Sequence, residues 1–261
     1  MLLPSLVFGS PIKEEGKYRP GADNLGALQL FSRGNTYLAV DDYKSAIRTY
    51  SKAIIIDPNN SSYYFYRGFA HGSINLYENA LQDYDRAIVL GKNDEAVYNN
   101  RGAIFAYLLR YQEAIADYDT ALSYSDDTVA ASMTYFNRGN AYYAQKQHVL
   151  ALKDYKKANQ LNPKQLLITN ALVWMYATSI NLDVRDPKRS AILSYEILNT
   201  GNPIHMDTVA ASLASTRDFE TAIILTNAAL SISKVEPTEN YVVTELTEHL
   251  ALYKNKQAIY Q

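Results

Sequence analysis

The sequence predicts an all-α protein, a right-handed α-solenoid of about six antiparallel helix pairs closed by a C-terminal capping helix. Three observations support this prediction. A glycine recurs every 34 residues along the first half of the chain. Alanines and a tyrosine keep step with that glycine, which indicates one structural unit repeated several times. Near the C-terminus, Val242, Leu246, Leu250 and Tyr253 recur at helical spacing, as expected for a helix that covers one end of a stack.

The register of the repeat is defined by its glycines. Gly34, Gly68 and Gly102 lie 34 residues apart, and Gly139 follows after a three-residue insertion near residues 128–131. Two alanines and one tyrosine fall at nearly constant offsets from each glycine. These positions are Ala46, Ala80, Ala114 and Ala151, then Tyr50, Tyr84, Tyr118 and Tyr155, then Ala53, Ala87, Ala121 and Ala158. Four segments in one register are a specific signal, whereas a single segment would be weak.

This pattern resembles the tetratricopeptide repeat, a unit of about 34 residues that forms a helix, a turn and a second helix. The four units cover residues 27–165, with Pro58 and Pro163 at the closing proline position. Lys92 and Asp126 depart from that proline without breaking the register. The resemblance implies a superhelix in which small residues let helices approach closely, because a larger side chain there would overpack at a cost of about 1–3 kcal/mol.

The second half of the chain follows the repeat less regularly. A first helix is expected over residues 166–180. A second helix is expected to begin with Asp186 as N-cap and Pro187 at the first helical position, and to stop at Gly201. Residues 206–232 match the repeat offsets again and form a sixth unit. The predicted organisation is residues 1–24 as a flexible N-terminal lead or signal-peptide remnant, 25–165 as four regular repeats, 166–236 as two divergent repeats and 237–261 as the capping helix.

Composition argues against several functional classes. Of the 261 residues 48% are apolar and 20% are charged, which fits a folded chain rather than a disordered one. The net charge is -2 and basic residues alternate with acidic ones, so a nucleic-acid partner is not expected. The absence of cysteine removes disulfides, thiolate metal sites and cysteine nucleophiles. No apolar run reaches the roughly 20 residues that a membrane-spanning helix needs.

The N-terminal residues MLLPSLVFGS leave the cellular location open. They end in a small-residue pattern, Val7-Phe8-Gly9, that is similar to a signal-peptidase site. A basic n-region is missing, however, and the apolar run is short. An exported, periplasmic protein and a cytoplasmic protein with a flexible N-terminus both fit this sequence.

The four histidines give little reason to expect catalysis. His71 aligns with aromatic residues of the other repeats, and so does His148, so packing accounts for both. No HExxH motif, metal-spaced carboxylate cluster, phosphate-binding glycine loop or G-x-S-x-G string occurs. We therefore predict no catalytic residue, no cofactor and no metal.

Two rows of charged residues recur at the repeat period. An arginine precedes each repeat glycine, and an aspartate precedes the second-helix tyrosine in repeats two to four. The arginines are Arg33, Arg67, Arg101 and Arg138, and the aspartates are Asp83, Asp117 and Asp154. We expect them to pair as a ladder between packed helices; the alternative is two solvated rows that do not meet.

The resemblance implies a peptide-binding groove lined by the first helix of each repeat. By the family's offsets the groove residues are Phe31, Asn35, Phe65, Tyr66, Phe69, Asn99, Asn100, Phe136, Asn137, Asn140 and Tyr143. Asparagine amides can hydrogen-bond a peptide backbone and aromatic rings offer apolar pockets, so the expected ligand is a neutral, partly apolar segment. The alternative is that some of these side chains pack against neighbouring helices or against the N-terminal residues.

The basic carboxylate clamp of the family's chaperone-binding members is absent from this groove. Phe31, Tyr66 and Ala96 stand where three of its basic or amide residues would be. The leading hypothesis is therefore a non-catalytic protein-protein interaction scaffold of bacterial type that binds a peptide or protein segment. The alternatives are an envelope assembly factor with the same fold and an enzyme subunit with an unrecognised site.

Overall fold

The computed structural model describes residues 25–124, 129–235 and 240–261. The predictions made for residues 1–24, including the signal-peptide question, lie outside these ranges. Within the described ranges the chain forms thirteen α-helices and no strand. They are α1 Leu25–Leu38, α2 Tyr43–Ile56, α3 Ser61–Ser73, α4 Tyr77–Val89, α5 Glu95–Tyr107, α6 Tyr111–Tyr124, α7 Val129–Ala144, α8 His148–Leu161, α9 Leu166–Thr178, α10 Pro187–Ser194, α11 Pro203–Ser215, α12 Phe219–Val235 and α13 Asn240–Lys254.

The described residues fall into two compact units, which divide inside α7 between Asn137 and Arg138. The first unit contains the pairs α1/α2, α3/α4 and α5/α6 together with the start of α7. The second contains the end of α7 with α8, the pairs α9/α10 and α11/α12, and α13. The predicted all-α array of paired tetratricopeptide-type helices is confirmed.

The turn has one backbone geometry in five of the six helix pairs, the exception being α9/α10. In the first pair α1 ends at Leu38, Asp41 has φ of 56°, and the N–H of Asp42 donates to the carbonyl of Tyr37 at 2.9 Å. This bond spans the left-handed residue, as in a Schellman motif. Asp42 also caps α2, since its carboxylate accepts from the N–H of Ser45 at 3.0 Å. The residues at the left-handed position of the later pairs are Asn75, Leu109, Lys146 and Arg217.

The repeat glycines lie directly against the rings of the repeat tyrosines. A Cβ added to Gly102 would lie 2.8 Å from Cε1 of Tyr118, and one added to Gly34 would lie 2.3 Å from Cε1 of Tyr50. Both tyrosine side chains are fully buried. Distances this short leave no room for a side chain, so the glycines set how closely the two helices of a pair approach.

The second unit departs from the predictions in two places. Asp186 caps α10 as expected, but the helix ends at Ser194 and six turn or bend residues separate it from Gly201. Beyond α13 the chain folds back onto the segment after α9. The N–H of Gln261 donates to the carbonyl of Thr178 at 2.7 Å, and the N–H of Ile180 donates to the carbonyl of Gln261 at 2.9 Å. This last segment therefore adds backbone hydrogen bonds that no helical pattern indicates.

Helix α13 covers the apolar side of α12, as a terminal capping helix should. Val242 and Leu246 pack with Met206 of α11 and Ala229 of α12. His249, which lies one turn further along α13, is 2.9 Å from the carboxylate of Asp207 on α11, and both side chains are buried.

We expect Gly102→Ala to lower the free energy of unfolding by about 1–3 kcal/mol, because the added methyl group must displace the Tyr118 ring. The control is Gly26→Ala, whose Cβ would meet only Cδ1 of Ile56 at 3.6 Å. Alanine favours the helix over glycine, so the control should be as stable as wild type or slightly more stable. Urea denaturation measures both. Equal stability of the two variants would contradict this account of the helix spacing.

Candidate functional site

The first helices of the repeats bring the predicted groove residues together within each unit. In the first unit nine of the eleven lie on α1, α3, α5 and the start of α7: Phe31, Asn35, Phe65, Tyr66, Phe69, Asn99, Asn100, Phe136 and Asn137. Asn140 and Tyr143 lie in the second unit, on the end of α7.

Burial separates these residues into two groups. Phe31, Asn35, Tyr66 and Phe69 are half-buried, so part of each side chain faces solvent. The other seven are buried: Phe65, Asn99, Asn100, Phe136, Asn137, Asn140 and Tyr143. A buried side chain offers no surface to a ligand, and the expectation of direct ligand contact does not fit these seven. We call the four half-buried residues the groove quartet.

Phe65 is buried because it belongs to the core between helix pairs. Its ring packs against Tyr84 of α4, with centroids 5.9 Å apart, and against Val97 of α5 in the same apolar cluster. The ammonium group of Lys92 lies 4.5 Å from the centroid of the same ring. Packing from α4 and α5 together with this cation-π contact therefore accounts for the burial of Phe65.

The buried asparagines of α5 and α7 form a chain of side-chain amides. Nδ2 of Asn137 donates to Oδ1 of Asn99 at 3.2 Å, and Nδ2 of Asn99 donates to Oδ1 of Asn100 at 3.4 Å. Buried amides are stable only when they are hydrogen-bonded, so this chain fixes the start of α7 against α5. The amides act on protein neighbours, where the sequence had led us to expect a peptide backbone.

A second asparagine position holds the repeat tyrosine in place. In the first unit the hydroxyl of Tyr50 donates to Oδ1 of Asn35 at 2.7 Å. In the second unit the hydroxyl of Tyr155 donates to Oδ1 of Asn140, also at 2.7 Å. Burial raises the pKa of Tyr50 and of Tyr155 far above the usual value, so both hydroxyls stay protonated as donors. Asn35 differs from Asn140 in being only half-buried.

The groove quartet is continuous with an aromatic cluster. The Phe31 ring lies 5.2 Å from the centroids of both Tyr63 and Tyr66. Tyr66 contacts the Tyr50 ring at 6.1 Å. Phe69 lies on α3 one turn beyond Tyr66. The first unit therefore presents two phenylalanines, a tyrosine and one amide on two adjacent first helices.

One carboxylate on a first helix is half-buried. Glu95 begins α5, one turn before Asn99, and accepts a hydrogen bond of 2.8 Å from the hydroxyl of Thr134 on α7. Burial raises the pKa of Glu95 above its ordinary value of 4.5. Its charge is thus partly desolvated, which is unfavourable for the folded state.

The predicted ladder of arginine and aspartate is confirmed. Arg101 donates two hydrogen bonds of 2.7 Å to the carboxylate of Asp117. The pairs Arg67 with Asp83 and Arg138 with Asp154 have the same two-bond geometry, with distances of 2.6–2.9 Å. Two parallel bonds between a guanidinium and a carboxylate are stronger and more directional than one.

The ladder also joins successive helix pairs. Nη1 of Arg67 donates to the hydroxyl of Ser51 on α2 at 3.0 Å, in the preceding pair. Nη1 of Arg101 reaches Asp85 on α4 at 2.6 Å in the same way. The first repeat has Thr49 in place of the aspartate, and Arg33 accordingly donates to the hydroxyl of Tyr37 at 2.8 Å.

The histidines all contact polar partners inside the protein. His71 lies 2.9 Å from the carboxylate of Asp83, and His148 lies 2.9 Å from the hydroxyl of Ser179. Both are buried, as expected from their aromatic register positions. His205 lies 2.9 Å from the hydroxyl of Thr200.

Across residues 25–124, 129–235 and 240–261, no group of three His, Cys, Asp or Glu side chains is placed to hold a metal ion. None of the helices in those ranges is both long and apolar enough to cross a membrane.

Comparison with known proteins identifies the repeat. A tetratricopeptide-repeat model matches residues 132–165, and a second model, described as a TPR repeat, matches residues 34–75. No curated protein matches the chain. A solved structure of Pseudomonas aeruginosa pilF is similar with a TM-score of 0.69 at 17% identity, covering 88% of this chain and 100% of that chain.

Two further solved structures share the fold. The APC/C hetero-tetramer Cut9-Hcn1 has a TM-score of 0.69 at 17% identity, covering 86% of this chain and 42% of that one. A MamA RS-1 double mutant has a TM-score of 0.52 at 14% identity, covering 82% and 98% of the two chains. At these identities the likeness shows the fold alone.

We expect Arg101 and Asp117 to be energetically coupled by about 1–3 kcal/mol in a double-mutant cycle with alanine, because both groups are largely buried. The control cycle pairs Arg101 with Asp85, whose side chain is 61% exposed, and should give a coupling of about 0–1 kcal/mol. Urea denaturation of all variants measures both couplings. Strictly additive losses for Arg101 and Asp117 would show that the ladder contributes no pairwise stability.

Glu95→Gln should raise the free energy of unfolding at neutral pH, since it removes a desolvated charge while Gln can still accept from Thr134. Because the pKa of Glu95 is raised in the folded state, the carboxylate does not destabilise the fold below pH 4.5, its ordinary pKa. The destabilisation grows as the pH rises above that value and the group loses its proton. The increase in the free energy of unfolding caused by Glu95→Gln should therefore vanish at acid pH. Chemical denaturation at pH 4 and pH 7 measures the difference.

The control is Glu113→Gln. A hydrogen bond from Arg110 lowers the pKa of Glu113, so this substitution should reduce stability at neutral pH, and the loss should shrink as the pH falls. A gain at Glu95 that is independent of pH would contradict the burial account.

Proposed function

Because this chain is a tetratricopeptide-repeat protein, we propose that it is a non-catalytic protein-protein interaction scaffold that holds a segment of its partner against the groove quartet. The observation that carries the proposal is the exposure pattern of the first unit. Among the nine predicted groove residues there, the four that retain surface are Phe31, Asn35, Tyr66 and Phe69.

The chemistry of the quartet favours a neutral, partly apolar segment. Covering these partly exposed rings with apolar side chains of a partner stabilises the complex by roughly 25 cal/mol per Å² of apolar surface removed from water. Nδ2 of Asn35 can donate to a backbone carbonyl of the segment while its Oδ1 remains bonded to Tyr50. The quartet contains no charged side chain, so an acidic or basic tail would find no ion-pair partner among its members.

The arrangement of the quartet supports a binding mode in which its aromatic side chains anchor the partner segment. Tyr66 and Phe69 lie on one face of α3, and Phe31 contacts Tyr66 from α1, so an incoming segment would contact two helices at once. Rigid aromatic anchors lose little conformational entropy on binding and commonly dominate interface energies. Arg67 ties α3 to Asp83 of α4, and Asn35 ties α1 to Tyr50 of α2, so both helices are held before binding, which lowers the entropic cost of association.

The test compares partner recovery by three forms of the full chain. Immobilised wild type, a Tyr66→Ala, Phe69→Ala variant and an Ile55→Ala, Val89→Ala control capture proteins from native lysate, and mass spectrometry quantifies them. Ile55 and Val89 are exposed apolar residues on the second helices α2 and α4. Circular dichroism and thermal unfolding establish that all three are folded.

We expect the groove variant to lose at least about tenfold in recovery of the specific partner, since each aromatic anchor contributes on the order of 1 kcal/mol or more. The control should recover the partner as wild type does. Equal recovery by the groove variant and wild type would show that the partner binds elsewhere.

A further inference from the structure

The second unit contains a cleft that neither the groove nor the ladder uses. Its volume is about 590 Å³, and it lies between α8, α9 and α10. Leu172 and Tyr176 of α9, both buried, form its floor. Ile192 of α10 stands at its rim with 69% of its surface exposed. Ile192 therefore offers an exposed aliphatic side chain at the opening of the cleft.

The walls of this cleft are cationic. Lys156 of α8 and both Lys188 and Arg189 of α10 line it. The ammonium of Lys156 lies 5.9 Å from the centroid of the Tyr176 ring, and the guanidinium of Arg189 lies 5.6 Å from the same centroid. One ring therefore holds two cations near the same opening.

The single acidic residue of the lining is already engaged. Oδ1 of Asp186 accepts a hydrogen bond of 3.0 Å from the backbone N–H of Arg189 as the N-cap of α10. Three cations against one carboxylate leave a local excess of positive charge. That excess favours a ligand that brings its own negative charge.

We propose that this cleft binds an acidic peptide segment of a partner, with an apolar side chain packed against the exposed Ile192. Carboxylates that flank this side chain pair with Lys156, Lys188 and Arg189. A single small anion would satisfy the cations but leave Ile192 uncovered and most of the volume empty. The site lies on different helices from the groove quartet and does not depend on the proposed function.

The test is a titration of the full-length protein into a fluorescein-labelled peptide, Asp-Glu-Leu-Glu-Asp with blocked ends, followed by fluorescence anisotropy. The site variant is Lys156→Glu, Lys188→Glu, two exposed positions on the cleft wall. The matched control is Lys44→Glu, Lys52→Glu, two exposed positions on α2 in the first unit that change the net charge by the same amount. Circular dichroism verifies that both are folded.

We expect the site variant to bind at least tenfold more weakly than wild type and the control to bind as wild type does. Asn-Gln-Leu-Gln-Asn should bind at least tenfold more weakly to wild type, and Asp-Glu-Ser-Glu-Asp several-fold more weakly. Equal binding by site variant and control would overturn the proposal. So would full displacement of the peptide by an equal concentration of inorganic phosphate, which would indicate an anion site without peptide recognition.

Discussion

The close contact between a glycine on the first helix and a tyrosine ring on the second is the constraint on which each regular repeat depends. Because the ring fills the space above the glycine, the helices lie near enough for the residues beside them to meet. Arg67 precedes Gly68 and Asp83 precedes Tyr84, so the contact that packs the ring also aligns the guanidinium with the carboxylate. The same spacing lets Asn35 reach the hydroxyl of Tyr50. Apolar packing and polar pairing in a repeat therefore have one geometric cause.

The periodic features of this protein could be predicted from its sequence, because a residue that recurs at one offset meets the same neighbours each time. The paired helices and the arginine-aspartate ladder followed from such positions, whereas the Asp186 cap followed from its local place before Pro187. The groove could be predicted only in part. The offsets place Phe65 and Asn99 on the first helices correctly, but their exposure depends on how closely the next helix packs. Lys92 over the Phe65 ring and Asn137 against Asn99 are contacts between residues far apart in sequence, which no single repeat reveals.

In the second unit, too, the structure could be predicted only in part, because the repeat there is less regular. Helix α10 ends at Ser194 although Gly201 offered the expected stop, and the turns between them are closed by local bonds such as the N–H of Ile197 to the carbonyl of Ser194 at 3.2 Å. This shortened helix carries two of the three cations of the α8/α9/α10 cleft. The surfaces of the two units thus differ in chemistry: an aromatic and amide surface in the first, a cationic cleft over an apolar floor in the second. The differences arise at positions that the repeat leaves variable, whereas the glycines and tyrosines of the regular repeats are constant.

The central claim is that close helix packing buries one part of the predicted groove and leaves the quartet accessible. Hydroxyl-radical footprinting with mass spectrometry tests it most directly, because Phe65 and Tyr66 are adjacent in sequence and similar in reactivity. The account predicts that Tyr66 and Phe31 are oxidised in the folded protein while Phe65 and Phe136 are protected until denaturant is added. Oxidation of Phe65 or Phe136 as fast as Tyr66 in the folded protein would contradict it.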